Sequence, residues 1–164
     1  MWFFMYVCYI FTALTFFMLF LTGLQGYLHF FVFNANHALF ALLTIIVYLF
    51  TETLVIFYFV GIGVSIRDFV LANKLKNDYH KRSLAVKRKV YPPLLLNMLL
   101  VMILFISGGA VDTRCLPAWS HGLLFFISMI QFLDAVRIQH QSFKESTAII
   151  LEMSGLTGAV AGKV

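Results

Sequence analysis

Histidines are the residues of this sequence whose type and placement best fit a bound cofactor. His29 and His37 flank the start of the second apolar stretch, and His121 lies one helical turn into the fourth. Alternate helices of an antiparallel bundle run in the same direction, so His37 and His121 should lie at similar depth. Neutral imidazoles on facing helices can hold one b-type haem between them. The sequence therefore predicts His37 and His121 as the axial ligands of a haem b.

The same histidines allow two other interpretations. A histidine near the membrane surface can hydrogen-bond water, a lipid headgroup or a helix end without binding a metal. A copper or zinc site would need His29 as a third ligand, so we assign no such site from the sequence. A small residue beside each histidine, Ala38 or Gly122, would leave room for a macrocycle. The segments HALFALLT and HGLLFFIS, which begin at the two predicted ligands, are also weakly alike.

Glu52 is the only acidic residue in the second apolar stretch. A carboxyl group in an apolar helix is costly and usually faces the bundle interior, water or a partner. Glu52 could carry a proton near neutral pH and serve as a proton relay or a quinone contact. Alternatively it joins helix to helix through hydrogen bonds, with Thr51, Thr53, Tyr48 or Asn97 as partners.

The composition shows which elements must position these residues. Of the 164 residues, 62% are hydrophobic and 12% are charged, about half the charged fraction of a soluble domain. A soluble protein of this size could not bury so much apolar surface. The apolar stretches are each long enough to cross a hydrocarbon core of about 30 Å as a helix. We therefore predict an all-α polytopic membrane protein, a bundle with four spans at about 2–24, 38–66, 92–110 and 118–136.

The basic residues predict how the chain is oriented. Of the twelve Lys and Arg residues, eleven lie on one side of this topology and only Arg114 on the other. The positive-inside rule then places both termini and the basic loop 67–91 in the cytoplasm, with 147–164 as a cytoplasmic tail. The net charge of +5 comes mainly from that loop, so it predicts topology and contact with anionic lipid or a cytoplasmic protein rather than nucleic-acid binding. The predicted contact residues are Lys81, Arg82, Lys87, Arg88 and Lys89.

Asparagine and proline residues predict where helices begin, and the positions of the two cysteines argue against a disulfide. Asn36 is a predicted N-cap for the second span. Pro92 and Pro93 are expected in the first turn of the third span, where a missing amide N–H costs little. Cys8 lies in the first span and Cys115 in a short loop, so we predict no disulfide between them and no cysteine metal site.

Three functions fit this sequence. Motifs for hydrolysis and phosphoryl transfer are not found, so we expect no catalytic activity of its own. The first interpretation is a non-catalytic integral membrane subunit that packs with other membrane subunits in a larger complex, respiratory or electron-transferring in type, in a bacterial or organellar inner membrane. The second is a haem b-binding anchor or electron-transfer subunit of a quinone-linked oxidoreductase, with His37 and His121 as ligands. The third is a small proton- or ion-coupled channel or transporter that uses Glu52.

Overall fold

Four helices make up almost all of the structure. A computed structural model describes residues 2–75 and 77–155 of the chain. The helices are α1 (Trp2–Leu28), α2 (His37–Ala72), α3 (Asp78–Asp112) and α4 (Ala118–Met153). Each is long and apolar enough to cross a membrane. The prediction of an all-helical protein with four candidate spans is therefore confirmed for the described residues, and it indicates an integral membrane protein.

The helices pack in chain order around a ring. Helix α1 packs on α2, α2 on α3 and α3 on α4, and a smaller contact between α4 and α1 completes the bundle. Aromatic side chains fill much of the interior: the rings of Phe59 and Phe143 stack with centroids 5.1 Å apart, and those of Tyr48 and Phe132 are 6.2 Å apart. In this order α2 and α4 lie diagonally across the bundle, so side chains from these two helices can meet at its centre.

Hydroxyl groups connect α1 to α2 inside the bundle. Thr15 and Thr51 hydrogen-bond each other at 2.8 Å, and Thr22 and Thr44 do the same at 2.8 Å. Hydrogen bonds of this kind between membrane helices contribute about 0.6 kcal/mol on average. The two pairs fix the register of α1 on α2 and therefore the position of the residues at the start of α2.

The predicted basic loop 67–91 is instead mostly helical. Helix α2 continues to Ala72 and α3 begins at Asp78, so a short turn joins them. Lys and Arg are good helix formers, and the charged ends of both helices extend the apolar spans. Pro92 and Pro93 lie well inside α3, so their predicted place in its first turn is wrong. Neighbouring helices can compensate for the backbone hydrogen bonds that proline removes in a membrane helix.

The predicted tail 147–164 is helical over residues 147–153, and a turn follows at 154–155. Helix α4 runs on to Met153, and Ile149 is 2% exposed and belongs to the main core cluster. Residues 156–164 lie outside the described residues. The apolar side chains after Thr147 that we assigned to a tail thus extend the packed face of α4.

Two side chains hold the start of α2. Asn36 is the N-cap, as predicted, and its side-chain oxygen accepts a hydrogen bond of 2.9 Å from the Leu39 N–H. The buried Gln25 of α1 donates through Nε2 to the Ala35 carbonyl at 2.8 Å. The backbone that carries His37 is therefore fixed from both sides.

Candidate cofactor site

The structure brings His37 and His121 together at one end of the bundle. His37 is the first residue of α2 and His121 lies in the first turn of α4, so the two helices present them from opposite sides. Their ring centroids are 6.4 Å apart and the ring planes are at 82°. Both side chains are half-buried. The expected similar depth of these two residues is confirmed.

A glycine of the preceding helix lies against each ring. An ideal Cβ on Gly26 of α1 would be 3.2 Å from Cε1 of His37, and one on Gly108 of α3 would be 3.3 Å from Cε1 of His121. Either distance is tighter than an ordinary carbon contact. These two glycines lie on neighbouring helices, so the residues that adjoin each histidine in the sequence do not predict them. Gly122, predicted to make room for a macrocycle, instead makes room for the hydroxyl of Tyr27.

A hydrogen bond fixes the proton on the His121 ring. The Ser107 hydroxyl lies 2.9 Å from Nδ1 of His121, and it also donates to the Leu104 carbonyl at 2.7 Å. A serine hydroxyl has a single hydrogen, so with that hydrogen on Leu104 the oxygen accepts from the N–H of His121 Nδ1. The lone pair of the ring is then on Nε2. This is the tautomer that a metal-binding histidine with a second-shell partner adopts.

The His37 ring has no such support. Its Nδ1 is buried and finds no hydrogen-bond partner among residues 2–75 and 77–155. The other ring nitrogen, Nε2, is not among the buried atoms without a partner. His37 also lines the cavity described below. A buried imidazole nitrogen without a partner costs about 1–3 kcal/mol, so the position of this ring requires some compensating interaction.

A large apolar cavity of about 1070 Å³ lies beside the two histidines. All four helices contribute to its wall, and both histidines are part of it. Ligand sites of drug-sized molecules typically span about 300–1000 Å³ and combine apolar walls with a few polar groups. Much of the space arises because many wall residues are very small, among them Gly23, Gly26, Ala38, Ala41, Gly108 and Gly122.

His29 lies at the same cavity but does not complete a metal site. It is exposed, at the end of α1, with a left-handed φ of 53°. Within the described part of the chain, no three His, Cys, Asp or Glu side chains are close enough together to hold a metal ion. The geometry therefore gives no support to the copper or zinc site that would use His29 as its third ligand.

Glu52 is buried far from the histidines. It follows His37 by fifteen residues on α2, which is about 22 Å along a helix. Its side chain is 3% exposed, and its carboxyl group makes no hydrogen bond within residues 2–75 and 77–155. Glu52 is therefore not part of the histidine site.

The partners expected for Glu52 bond elsewhere. Asn97 donates to the Tyr48 hydroxyl at 2.8 Å, and Thr51 pairs with Thr15 of α1. Thr53 is exposed and donates to a backbone carbonyl of its own helix. Within residues 2–75 and 77–155 no hydrogen bond joins Glu52 to any of these four residues, so its predicted role as a link to them gains no support.

Replacing Glu52 with leucine is expected to stabilise the protein in detergent by about 1–3 kcal/mol, because it removes a buried polar group that has no partner. Glu52→Gln, which keeps a polar group of similar shape, is the matched control and should change stability little. Thermal unfolding followed by circular dichroism measures both. A clear loss of stability in Glu52→Leu would show that the carboxyl group has a structural partner.

The five predicted contact residues on the basic helix ends differ in their surroundings. Arg82 forms an ion pair of 2.7 Å with Glu152, and Lys89 is bound to Glu145 at 2.6 Å. Both pairs join α3 to α4 and are nearly half exposed, so each contributes about 0–1 kcal/mol. Lys87 lies over Gly63 of α2. The exposed Lys81 and Arg88 have no ion-pair partner in the described ranges and remain predicted lipid or protein contacts.

Comparison with models of protein families, with curated proteins and with solved structures finds no match to this chain.

Proposed function

We propose that this chain is a small membrane electron-transfer protein that holds one haem b between His37 and His121. The observation that carries the proposal is the pair of histidines facing each other at the cavity, one of them held in the tautomer that binds metal. Such a site needs only these two protein ligands, since a haem iron takes its other four bonds from the porphyrin.

The separation of the rings fits axial ligation. A metal-bound imidazole nitrogen lies about 2 Å from the metal ion and about 1 Å from the centre of its own ring, so two opposed ligands place their ring centres about 6 Å apart. The observed separation is 6.4 Å. An ordinary edge-on contact between aromatic rings covers the same range, about 4.5–7 Å. The centroid distance fits both haem ligation and an ordinary ring contact. The other features of the site distinguish the two arrangements.

Three of those features favour a haem. The cavity is large and mainly apolar, as a porphyrin requires, and its volume adjoins both rings. Gly26 and Gly108 let each ring lie close against the neighbouring helix, where a larger residue would crowd it. Ser107 orients His121 through Nδ1 and leaves Nε2 for the iron. A plain histidine contact would need none of these.

Two histidine ligands also favour electron transfer over oxygen chemistry. When both axial positions are filled by protein ligands, the bound haem supplies a one-electron couple. The chain's own residues then hold the ring and exclude water: the apolar wall keeps the local dielectric low, and Ser107 increases the basicity of His121. Among residues 2–75 and 77–155, no acidic side chain hydrogen-bonds to either histidine.

We propose further that the protein works as a subunit of a larger electron-transfer complex and that its own role is non-catalytic. Four helices leave many large apolar side chains on the outside, among them Phe17, Phe57 and Ile130, which suit lipid or other membrane helices. A quinone is the partner we expect for electron exchange, because the cavity is large and mainly apolar. A channel or transporter built on Glu52 gains no support from the isolated position of that residue.

Purification in mild detergent from cells supplied with haem tests the proposal. The purified protein should show a reduced-minus-oxidised absorption spectrum of a low-spin b-type haem, with about one haem per chain. Identification of co-purifying chains in the same preparation tests the subunit role. A preparation that folds but binds no haem would overturn the assignment of His37 and His121.

Labelling of the native cysteines tests the proposed orientation, with both termini and the basic helix ends in the cytoplasm of a bacterial or organellar inner membrane. Cys115 is exposed at the histidine end, and Cys8 is buried in α1. A membrane-impermeant maleimide added to intact cells or sealed organelles should modify Cys115, and Cys115→Ser should remove the signal. Modification only after the membrane is opened would reverse the orientation.

A further inference from the structure

The two histidines of the site are held with unequal strength. His121 has Nδ1 in a hydrogen bond of 2.9 Å with Ser107, whereas Nδ1 of His37 is buried without a partner among the described residues. Removing such an outer partner typically weakens a metal ligand by about 10–100-fold. The ligand on the His37 side should therefore be the weaker of the two.

The difference lies in the ring of His37 and not in its backbone. Asn36 caps the helix that begins at His37, and Gln25 holds the carbonyl of Ala35. The backbone is fixed on both sides, so movement at this position is rotation of the side chain. The neighbouring wall is made of Ala38 and Ala41, which are small.

We infer that His37 is an exchangeable ligand and that the site takes a small neutral diatomic ligand, of the carbon monoxide class, on the His37 side of the ring. This inference rests on the proposed haem. In the exchange the bond between His37 Nε2 and iron breaks and a bond from the diatomic molecule to iron forms. No electron is transferred, and the proton stays on His37 Nδ1. His121 remains bound through the exchange.

The apolar wall favours this class of ligand. A small neutral molecule crosses lipid freely and loses little hydration on entering such a cavity, whereas an anion would have to be desolvated. Near the His37 ring the wall includes Gly26, Ala38 and Ala41, and no Lys or Arg side chain of the described residues lines the cavity to stabilise a bound anion. Cyanide is therefore the matched anionic probe.

Addition of carbon monoxide to the dithionite-reduced, purified protein tests the inference. The wild-type spectrum should change from low-spin bis-histidine to a carbon monoxide complex, and cyanide added to the oxidised protein should bind far more weakly. His37→Ala should keep its haem, show a high-spin spectrum and bind carbon monoxide more tightly than the wild type, because no ligand has to be displaced. His121→Ala should not show this pattern.

The outcomes separate the two proposals. A low-spin haem spectrum that carbon monoxide leaves unchanged would overturn the exchange and leave the haem assignment standing. If the wild-type protein binds no haem, the assignment itself fails. Retention of a carbon monoxide-reactive haem in His121→Ala but not in His37→Ala would place the exchangeable ligand on the other side and overturn the inference.

A second pair of variants tests whether the missing hydrogen bond at Nδ1 of His37 causes the exchange, and it removes neither ligand. An ideal Cβ on Gly26 would lie 3.5 Å from Nδ1 of His37, so the hydroxyl of Gly26→Ser can reach that nitrogen and Gly26→Ala cannot. Both variants place a Cβ at the same position beside the ring. Gly26→Ser should bind carbon monoxide more weakly than Gly26→Ala, and equal affinities would show that the missing hydrogen bond does not control the exchange.

Discussion

Replacing His121 with alanine is expected to remove the b-type absorption band while the protein still folds. The change deletes the better-supported ligand together with its hydrogen bond to Ser107, and it leaves His37, whose Nδ1 has no partner in the described structure. Haem content per chain should fall by more than the 10–100-fold typical of losing an outer partner alone. A pyridine haemochrome assay measures the haem, and circular dichroism measures the helix content.

Two further variants make this result specific. His29→Ala removes a histidine that lines the same cavity but is not a predicted haem ligand, so its haem content should match the wild type. Ser107→Ala keeps both ligands and removes only the partner of His121, so its haem affinity should fall by about 10–100-fold. Equal haem content in His121→Ala and wild type would show that the histidine pair is an ordinary aromatic contact.

The number of helices could be predicted from the sequence, but their lengths could not. Long uncharged stretches must satisfy their backbone polar groups as helices in lipid, so hydropathy alone locates four spans. Hydropathy says little about how far a helix continues into water. The charge of the basic segment 67–91 predicts a loop, yet Lys and Arg are compatible with a helix. Ser83, Val86 and Val90 of this segment are buried on the inner face of α3.

That His37 and His121 meet could be predicted from the sequence, but the residues that lie against their rings could not. His37 and His121 stand out because alternate helices of a bundle run in the same direction, which fixes their depth from the order of the spans alone. Gly26, Gly108 and Ser107 carry no signal of this kind, because each acts on a ring of another helix. Which side chains meet across helices depends on the rotation of each helix about its axis. In a membrane helix most faces are apolar, so the pattern of apolar residues predicts that rotation poorly.

The two halves of the bundle repeat one arrangement. In each half, a glycine near the end of one helix lies against a histidine in the first turn of the next: Gly26 with His37, and Gly108 with His121. This extends the weak likeness between the segments that begin at the two histidines. The halves differ in the residue that supports the ring, since only the second half places a serine hydroxyl on Nδ1. Similar units thus differ in the hydrogen bonding of their histidine rings, as the proposed exchange requires.

Replacing Gly108 with valine is expected to cause the second large loss of haem. A Cβ at this position would already be 3.3 Å from Cε1 of His121, and the two methyl groups of valine would push the ring away from the cavity. Overpacking of this kind costs about 1–3 kcal/mol, equivalent to about 5- to 150-fold in haem affinity. Gly61→Val is the matched control, because it places the same β-branched residue in a helix where a Cβ meets nothing within 4 Å. Haem titration of both purified variants measures the difference. A Gly108→Val protein that binds haem as tightly as Gly61→Val would mean that the ring of His121 need not lie against α3 for the haem to be held.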